Sequence, residues 1–151
     1  MRAGQDGDAK VLSILGYLLM IAGLLGLIAL RSLFSPSPLV IAVQLAAVAL
    51  MVWARWTFGR RSFHFAADPT TGGLVTSGPY HWVRHPIYTA VCAFAAAGAL
   101  AHLSASAIAC FLVILAGSVA RMLTEERLLR QRYPEYSRYA ARTKRMVPGL
   151  F

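Results

Sequence analysis

The chain has 151 residues, 58% of them hydrophobic and only 14% charged, with a formal net charge of +9. That length leaves room for one domain, and the excess of apolar over charged residues excludes an ordinary soluble one. The class that remains is an all-α, polytopic membrane helical bundle.

A hydrocarbon layer roughly 30 Å thick takes about 20 helical residues to cross. Residues 11–30 supply an uncharged run of that length after a polar start carrying Asp6 and Asp8. No small-residue cleavage site follows it, so it reads as a retained span rather than a signal peptide. Ser35-Pro36-Ser37-Pro38 then breaks the helix in a tight turn. Residues 39–54 form a second, shorter span, which Trp53 and Trp56 anchor at the interface. Residues 55–76 are basic and Gly-containing and read as a loop that either lies on the membrane surface or covers the site. The next apolar run, residues 87–120, would be about 50 Å long as one straight helix, so it divides at Ala101–Ser104 into spans of about 86–101 and 104–124. These last two are rich in Ala and Gly, which favours close helix contacts. A helical segment, residues 121–151, follows them. The whole chain, 1–151, reads as one domain of about four spans.

Fourteen of the fifteen Lys and Arg residues fall on the side of both termini and of the loop before residue 86, and Arg31 alone falls on the other. The positive-inside rule makes the crowded side cytoplasmic. Thirteen arginines against two lysines, with abundant alanine, point to a GC-rich genome and so to a bacterial inner membrane. Charge gathered at span ends favours anionic lipid headgroups as partners, and no helix-turn-helix or stacking pattern supports nucleic acid. Cys92 and Cys110 both lie inside spans, without CxxC or ligand-spaced histidines, so neither a disulfide nor a metal site is expected.

Two polar features interrupt this apolar scheme. The first is "GPYHWVRHPIY", Gly78 to Tyr88. Pro86 restrains His85 to an extended conformation and suits the first turn of a helix, so the third span should begin there. Its free N–H groups, beside Arg84 and His85, form an anion-binding corner. The same residues also read as an aromatic belt of Tyr80, Trp82 and Tyr88 with a positive-inside arginine. The second feature lies beyond Ala120, where Val119, Met122, Leu129 and Tyr133 recur as the stripe a packed helix buries, with Glu126 inside it. A buried carboxylate needs a partner, and Arg84 or a bound cation would serve. Glu125 lies about 100° further round, at the rim. Alternatively the two glutamates form a solvated turn with Arg127 and Arg130.

At "LVTSGPYHWVRHPIY" (residues 74–88), "EERLL" (125–129) and "PEYSRYAARTKRMVPGLF" (134–151), the sequence resembles the isoprenylcysteine carboxyl methyltransferase family, membrane enzymes related to the phospholipid methyltransferases. Tyr133-Pro134 stands where many relatives carry Phe-Gly. The resemblance implies a helical membrane enzyme that uses S-adenosylmethionine, its pocket built from residues 74–88 and 121–151. On the chemistry of these residues, Arg84 and Glu126 are expected to position the reactants, Arg84 with the Pro86-led helix start holding the acceptor carboxylate and Glu126 balancing the cofactor's ammonium or sulfonium charge. Tyr80, Val83, His85, Pro86, Tyr88, Glu125, Leu129 and Tyr136 would line the cofactor pocket, with Tyr139, Arg145 and Pro148 at the remaining family positions. The acceptor would be a lipophilic or prenylated molecule entering from the bilayer, foremost the carboxylate of an isoprenylcysteine.

Transfer of a methyl group from a sulfonium to a carboxylate is an in-line displacement that needs neither metal nor general base. Positioning and water exclusion carry the catalysis. Two other readings remain open at the level of sequence: a nicotinamide-dependent reductase of an unsaturated lipid, its phosphates held by the basic segment 138–145, and a non-enzymatic membrane scaffold. His64 and His102 read as interfacial, and His81 is undecided.

Overall fold

The protein was analysed as a computed structural model that describes residues 2–59, 73–149 and 151. In chain order it forms α1 (Arg2–Ala29), α2 (Pro38–Phe58), a 3-10 turn (Gly78–His81), α3 (Pro86–His102), α4 (Ala105–Arg132) and α5 (Tyr136–Arg142). It is an all-helical bundle, and among the described residues the β-type pairing is an isolated bridge between Val83 and Lys144. Three helices are long and apolar enough to cross a membrane, Gly7–Ala29, Pro38–Phe58 and Ala105–Arg132, and Pro86–His102 is a shorter apolar one. His64 and most of the 55–76 loop, read above as lying on the membrane surface or covering the site, lie outside the described residues.

The ends of the helices follow their punctuation. Pro38 and Pro86 open α2 and α3, where a missing N–H costs nothing. Ser104 caps α4 by accepting a hydrogen bond from the Ala107 N–H at 3.2 Å. Leu103 closes the hairpin in the left-handed region (φ 44°). Two helices outrun the expected spans. α1 begins at Arg2 rather than near residue 11, because no proline interrupts its polar start. α4 runs to Arg132, so both glutamates ride on the same long apolar helix.

α1 packs on α4, α4 on α3, and α3 on α2, each pair antiparallel, so the helices stand in the order α1, α4, α3, α2. The α1 seam is Ala9, Ser13, Gly16, Met20, Gly23 and Leu27, alternating steps of four and three that keep one edge on its neighbour. Glycine occupies two of its positions because the backbones nearly touch there. A Cβ on Gly16 would lie 2.8 Å from the Gly117 carbonyl oxygen, and one on Gly23 2.6 Å from that of Cys110. Between α2 and α3, buried Gln44 donates to the Leu33 carbonyl (2.7 Å) and the Phe94 carbonyl (3.4 Å), tying the first turn to both helices. Apolar side chains elsewhere on α1 and α2, such as Leu18, Leu25, Leu45 and Val52, face outward, as the solvent of a membrane protein requires.

The antiparallel order gathers the start of α1, the end of α2, the start of α3 and the end of α4 at one end of the bundle. At the other end His102 Nε2 lies 2.9 Å from the Phe34 carbonyl oxygen. Trp56, 84% exposed, stands at the motif-bearing end, with Trp53 and Trp82 packed edge to face beside it at 5.7 Å.

Candidate functional site

The site forms where Arg84, His85 and Tyr88 at the start of α3 meet Glu125 and Glu126 near the end of α4. A third strand of chain completes it: residues 143–146, after α5, run alongside residues 82–85. The Arg84 N–H donates to the Lys144 carbonyl (2.8 Å) and the His85 N–H to the Arg145 carbonyl (2.9 Å). Thr89 Oγ1 donates to the Met146 carbonyl at 2.7 Å. Two N–H groups just before α3, which have no helical partner, are thereby satisfied by the returning backbone. α5 is held down in turn by Tyr139, whose hydroxyl donates to the Tyr80 carbonyl at 2.7 Å.

Glu126, with 4% of its side chain exposed, sits at the centre of the arginines. Arg84 Nε donates to its Oε1 at 2.9 Å, and Arg145 reaches both oxygens at 3.2 and 3.3 Å. Arg130, one turn on, is 3.7 Å away. Arg84 spends its Nη1 on the Ala140 and Thr143 carbonyls, so one guanidinium joins α3, α4 and α5. The partner expected for Glu126 is therefore present in the chain itself.

Glu125 is more open, with 25% of its side chain exposed. Its Oε1 accepts from the Tyr88 hydroxyl at 2.5 Å and from Arg121 Nη2 at 3.4 Å. Its Oε2 faces His85 Nδ1 at 3.7 Å, beyond hydrogen-bond reach. His85 is buried, and its Nε2, 3.4 Å from Glu126 Oε1, makes no hydrogen bond among the described residues. The buried Tyr136 hydroxyl also has no hydrogen-bond partner there. Buried polar atoms without partners are uncommon and mark places where a ligand group or water completes the pattern.

The expected residues therefore fall into three groups. Arg84, His85, Tyr88, Glu125 and Glu126 are in direct contact around one centre. Tyr80, Val83 and Pro86 hold the loop: Tyr80 packs on Phe58 at 5.5 Å, Val83 bridges to Lys144, and Pro86 opens α3. Tyr136 is fully buried, its ring 5.8 Å from the Arg130 guanidinium carbon. Leu129 sits one turn beyond Glu125 on α4, half-buried.

Arg121 was missed by the site reading, which counted it only as a positive charge past the fourth span. Its signal was its spacing, four residues before Glu125, and its place in an otherwise apolar helix, where a charge is costly unless paired. Outside the spans, burial pushes the Tyr139 phenol up to about 12 against the opposing charge of Arg84, and raises those of Tyr80 and Tyr136 well above the ordinary value. These phenols are neutral hydrogen-bonding groups at physiological pH. Among the described residues no group of three or more His, Cys, Asp or Glu is placed to hold a metal ion.

Comparison with known proteins adds a family. A family model described as phospholipid methyltransferase matches residues 37–136, from the turn before α2 to the first residue of α5. The nickel-cobalt-cadmium resistance protein NccN of Alcaligenes xylosoxydans xylosoxydans is 32% identical over 111 residues, covering 72% of this chain and 47% of that protein. The cobalt-zinc-cadmium resistance protein CzcN of Cupriavidus metallidurans is 33% identical over 111 residues, covering 72% of this chain and 46% of that protein. The chain thus spans about half the length of the curated relatives it matches. No solved structure matches it significantly.

Proposed function

Because the chain belongs to the phospholipid methyltransferase family, and so to the membrane methyltransferases, we propose that it moves a methyl group from S-adenosylmethionine to a lipophilic acceptor at the cytoplasmic face of a bacterial inner membrane. The acceptor group is a carboxylate of the isoprenylcysteine type. The observation that carries this reading is the meeting of the Pro86-led start of α3 with Glu125 and Glu126 on α4, a convergence of ionised groups at the end of a membrane bundle.

The donor set suits a sulfonium cofactor with an amino-acid tail. When bound, that group supplies an electrophilic methyl. Glu126 already has its charge matched by Arg84, Arg145 and Arg130, so counter-charge for the cationic part of a ligand falls to Glu125, the more exposed carboxylate. His85 and Tyr136 offer the buried polar atoms that make no hydrogen bond among the described residues.

The charge balance of the site bears on the acceptor. Four guanidiniums, Arg84, Arg121, Arg130 and Arg145, surround two carboxylates. This surplus of positive charge favours an anionic acceptor over an amine, and a carboxylate is ionised at neutral pH without a base to deprotonate it. Glu126 orients Arg84 and Arg145 toward that anion. The chain's residues thus act by binding and orienting two charged partners.

The test is transfer of a labelled methyl group from S-adenosylmethionine by the purified chain in proteoliposomes supplied with bacterial lipid extract. The reading expects a labelled, base-labile lipid ester. A base-stable N-methyl lipid would replace the acceptor class, and no labelled product with folded protein and extract would remove the methyltransferase reading for this chain.

A further inference from the structure

Arg121 is nearly fully buried, and α1, whose residues 2–29 precede those matched by the family model, packs directly over it. Three parts of α1 touch or shape it. The Ser13 carbonyl accepts from its Nη1 at 3.3 Å, and the Tyr17 ring lies 5.2 Å from its Cζ. A Cβ on Gly16 would fall 2.9 Å from its Cγ, so the glycine leaves the space through which the side chain passes. On its other side Arg121 Nε donates to the Tyr88 hydroxyl at 2.8 Å, and Nη2 donates to Glu125 Oε1 at 3.4 Å. The Tyr88 hydroxyl donates its own hydrogen bond to the same Oε1 at 2.5 Å.

Among the described residues both hydrogen bonds that Glu125 accepts go to one oxygen; one donor is Arg121 itself, and the other, the Tyr88 hydroxyl, is held by Arg121. The other oxygen, Oε2, accepts none among the described residues. With a guanidinium and a hydroxyl fixed on Oε1, the carboxylate cannot rotate freely about its Cγ–Cδ bond, and Oε2 keeps one direction. We infer that Arg121 is a positioning residue. Held by α1, it locks Tyr88 and Glu125 so that Glu125 Oε2 is presented to the cationic part of the methyl donor. This deepens the function proposed above and rests on it.

A buried arginine also stabilises the fold, so the experiment has to separate the two roles. The full chain in nanodiscs is titrated with S-adenosylmethionine by calorimetry, as wild type and as R121K, R121Q, Y88F and the R121Q/Y88F pair, with the folded fraction of each measured by circular dichroism. Loss of structure alone lowers the fraction of protein that binds and leaves the dissociation constant unchanged. Positioning raises the constant: roughly tenfold in R121Q, the effect of losing a charge-assisted hydrogen bond, with R121K in between. Because Tyr88 and Arg121 act on the same oxygen, the pair should bind less weakly than the two single effects multiplied. A dissociation constant within about twofold of wild type in R121Q, or fully multiplicative effects in the pair, overturns the inference. If R121Q does not fold, R121K and Y88F decide by the same criterion. Wild-type protein that is folded and binds no S-adenosylmethionine overturns the function proposed above. Wild-type binding with unaffected variants overturns this inference alone.

Discussion

Arg84 and Glu126 are 42 positions apart in the chain, yet Arg84 Nε and Glu126 Oε1 lie 2.9 Å apart, both buried at the end of the bundle. The contact closes the site: the turn leading into α3 supplies the cation, α4 the anion, and the carbonyls of Ala140 and Thr143 accept from the guanidinium's Nη1. An ion pair this enclosed has more effect when broken than when formed, since removal of one member strands the other.

Glu126→Gln should therefore cost roughly 3 kcal/mol of stability and most of the methyl transfer, because Arg84 keeps its burial and loses its counter-charge. Glu125→Gln, at the more open carboxylate, should leave stability within about 1 kcal/mol of the parent and weaken donor binding instead. Thermal unfolding in detergent together with donor titration checks both. Equal losses of stability in the two variants would contradict the division of roles.

The close approach of α1 to α4 makes a second expectation. Gly117→Ala puts a Cβ against the Gly16 carbonyl oxygen and the Met20 side chain, and should destabilise by about 1–3 kcal/mol. At Gly7 a Cβ meets nothing within 4 Å, so Gly7→Ala should be neutral or stabilising by up to about 1 kcal/mol through helix propensity. Similar unfolding midpoints for the two variants would show that the helices do not pack through their glycines.

The strap after α5 gives a third. Ending the chain after Arg142 removes the Thr143, Lys144 and Arg145 carbonyls that accept from Arg84 and His85, and removes the Arg145 guanidinium from Glu126. The shortened chain should still insert and keep its helical content, since the long helices pack on one another directly, should lose some stability with Met146, which is buried in the main core, and should lose methyl transfer by at least about a hundredfold. Parental activity in the shortened chain would show that the strap is ornamental to the site.

Tyr139 gives a pH dependence. Its phenol is raised to about 12 by burial, so ionisation is disfavoured in the folded state relative to the unfolded one. The stability it contributes is complete below the unfolded value of about 10 and is lost as pH rises from there through about 12. Tyr139→Phe should lose roughly 1 kcal/mol at neutral pH with the hydrogen bond to Tyr80, and should flatten the alkaline fall in unfolding midpoint. An unchanged alkaline slope would assign that fall to other groups.

How far the sequence reached can be judged from these same residues. The start of α3 was legible because a proline has few places to sit in a helix, and the hairpin at Ala101–Ser104 because one helix of that length would overshoot the membrane. The burial of Glu126 was legible from its place in an apolar stripe, and Arg84 was named as a candidate partner. What stayed hidden was made by backbone. The pairing of residues 143–146 with 82–85 uses N–H and C=O groups that every residue carries, so no side-chain pattern announces it. Arg121 was hidden differently: at the end of a span it looked like one more cytoplasmic charge, and only the packing of α1 over it shows a group buried for a purpose. The extension of α1 back to Arg2 escaped because hydropathy reports where the membrane ends and not where the helix does.

The central claim is that Glu125, set against the start of α3, holds the cationic part of a methyl donor. Calorimetric titration of the purified full chain with S-adenosylmethionine and with NADPH, for wild type and Glu125→Gln, tests it most directly. The account expects saturable binding of S-adenosylmethionine at one site per chain, weakened roughly tenfold or more by Glu125→Gln, and no binding of NADPH. Binding of NADPH instead, or S-adenosylmethionine binding that Glu125→Gln leaves unchanged, would contradict it.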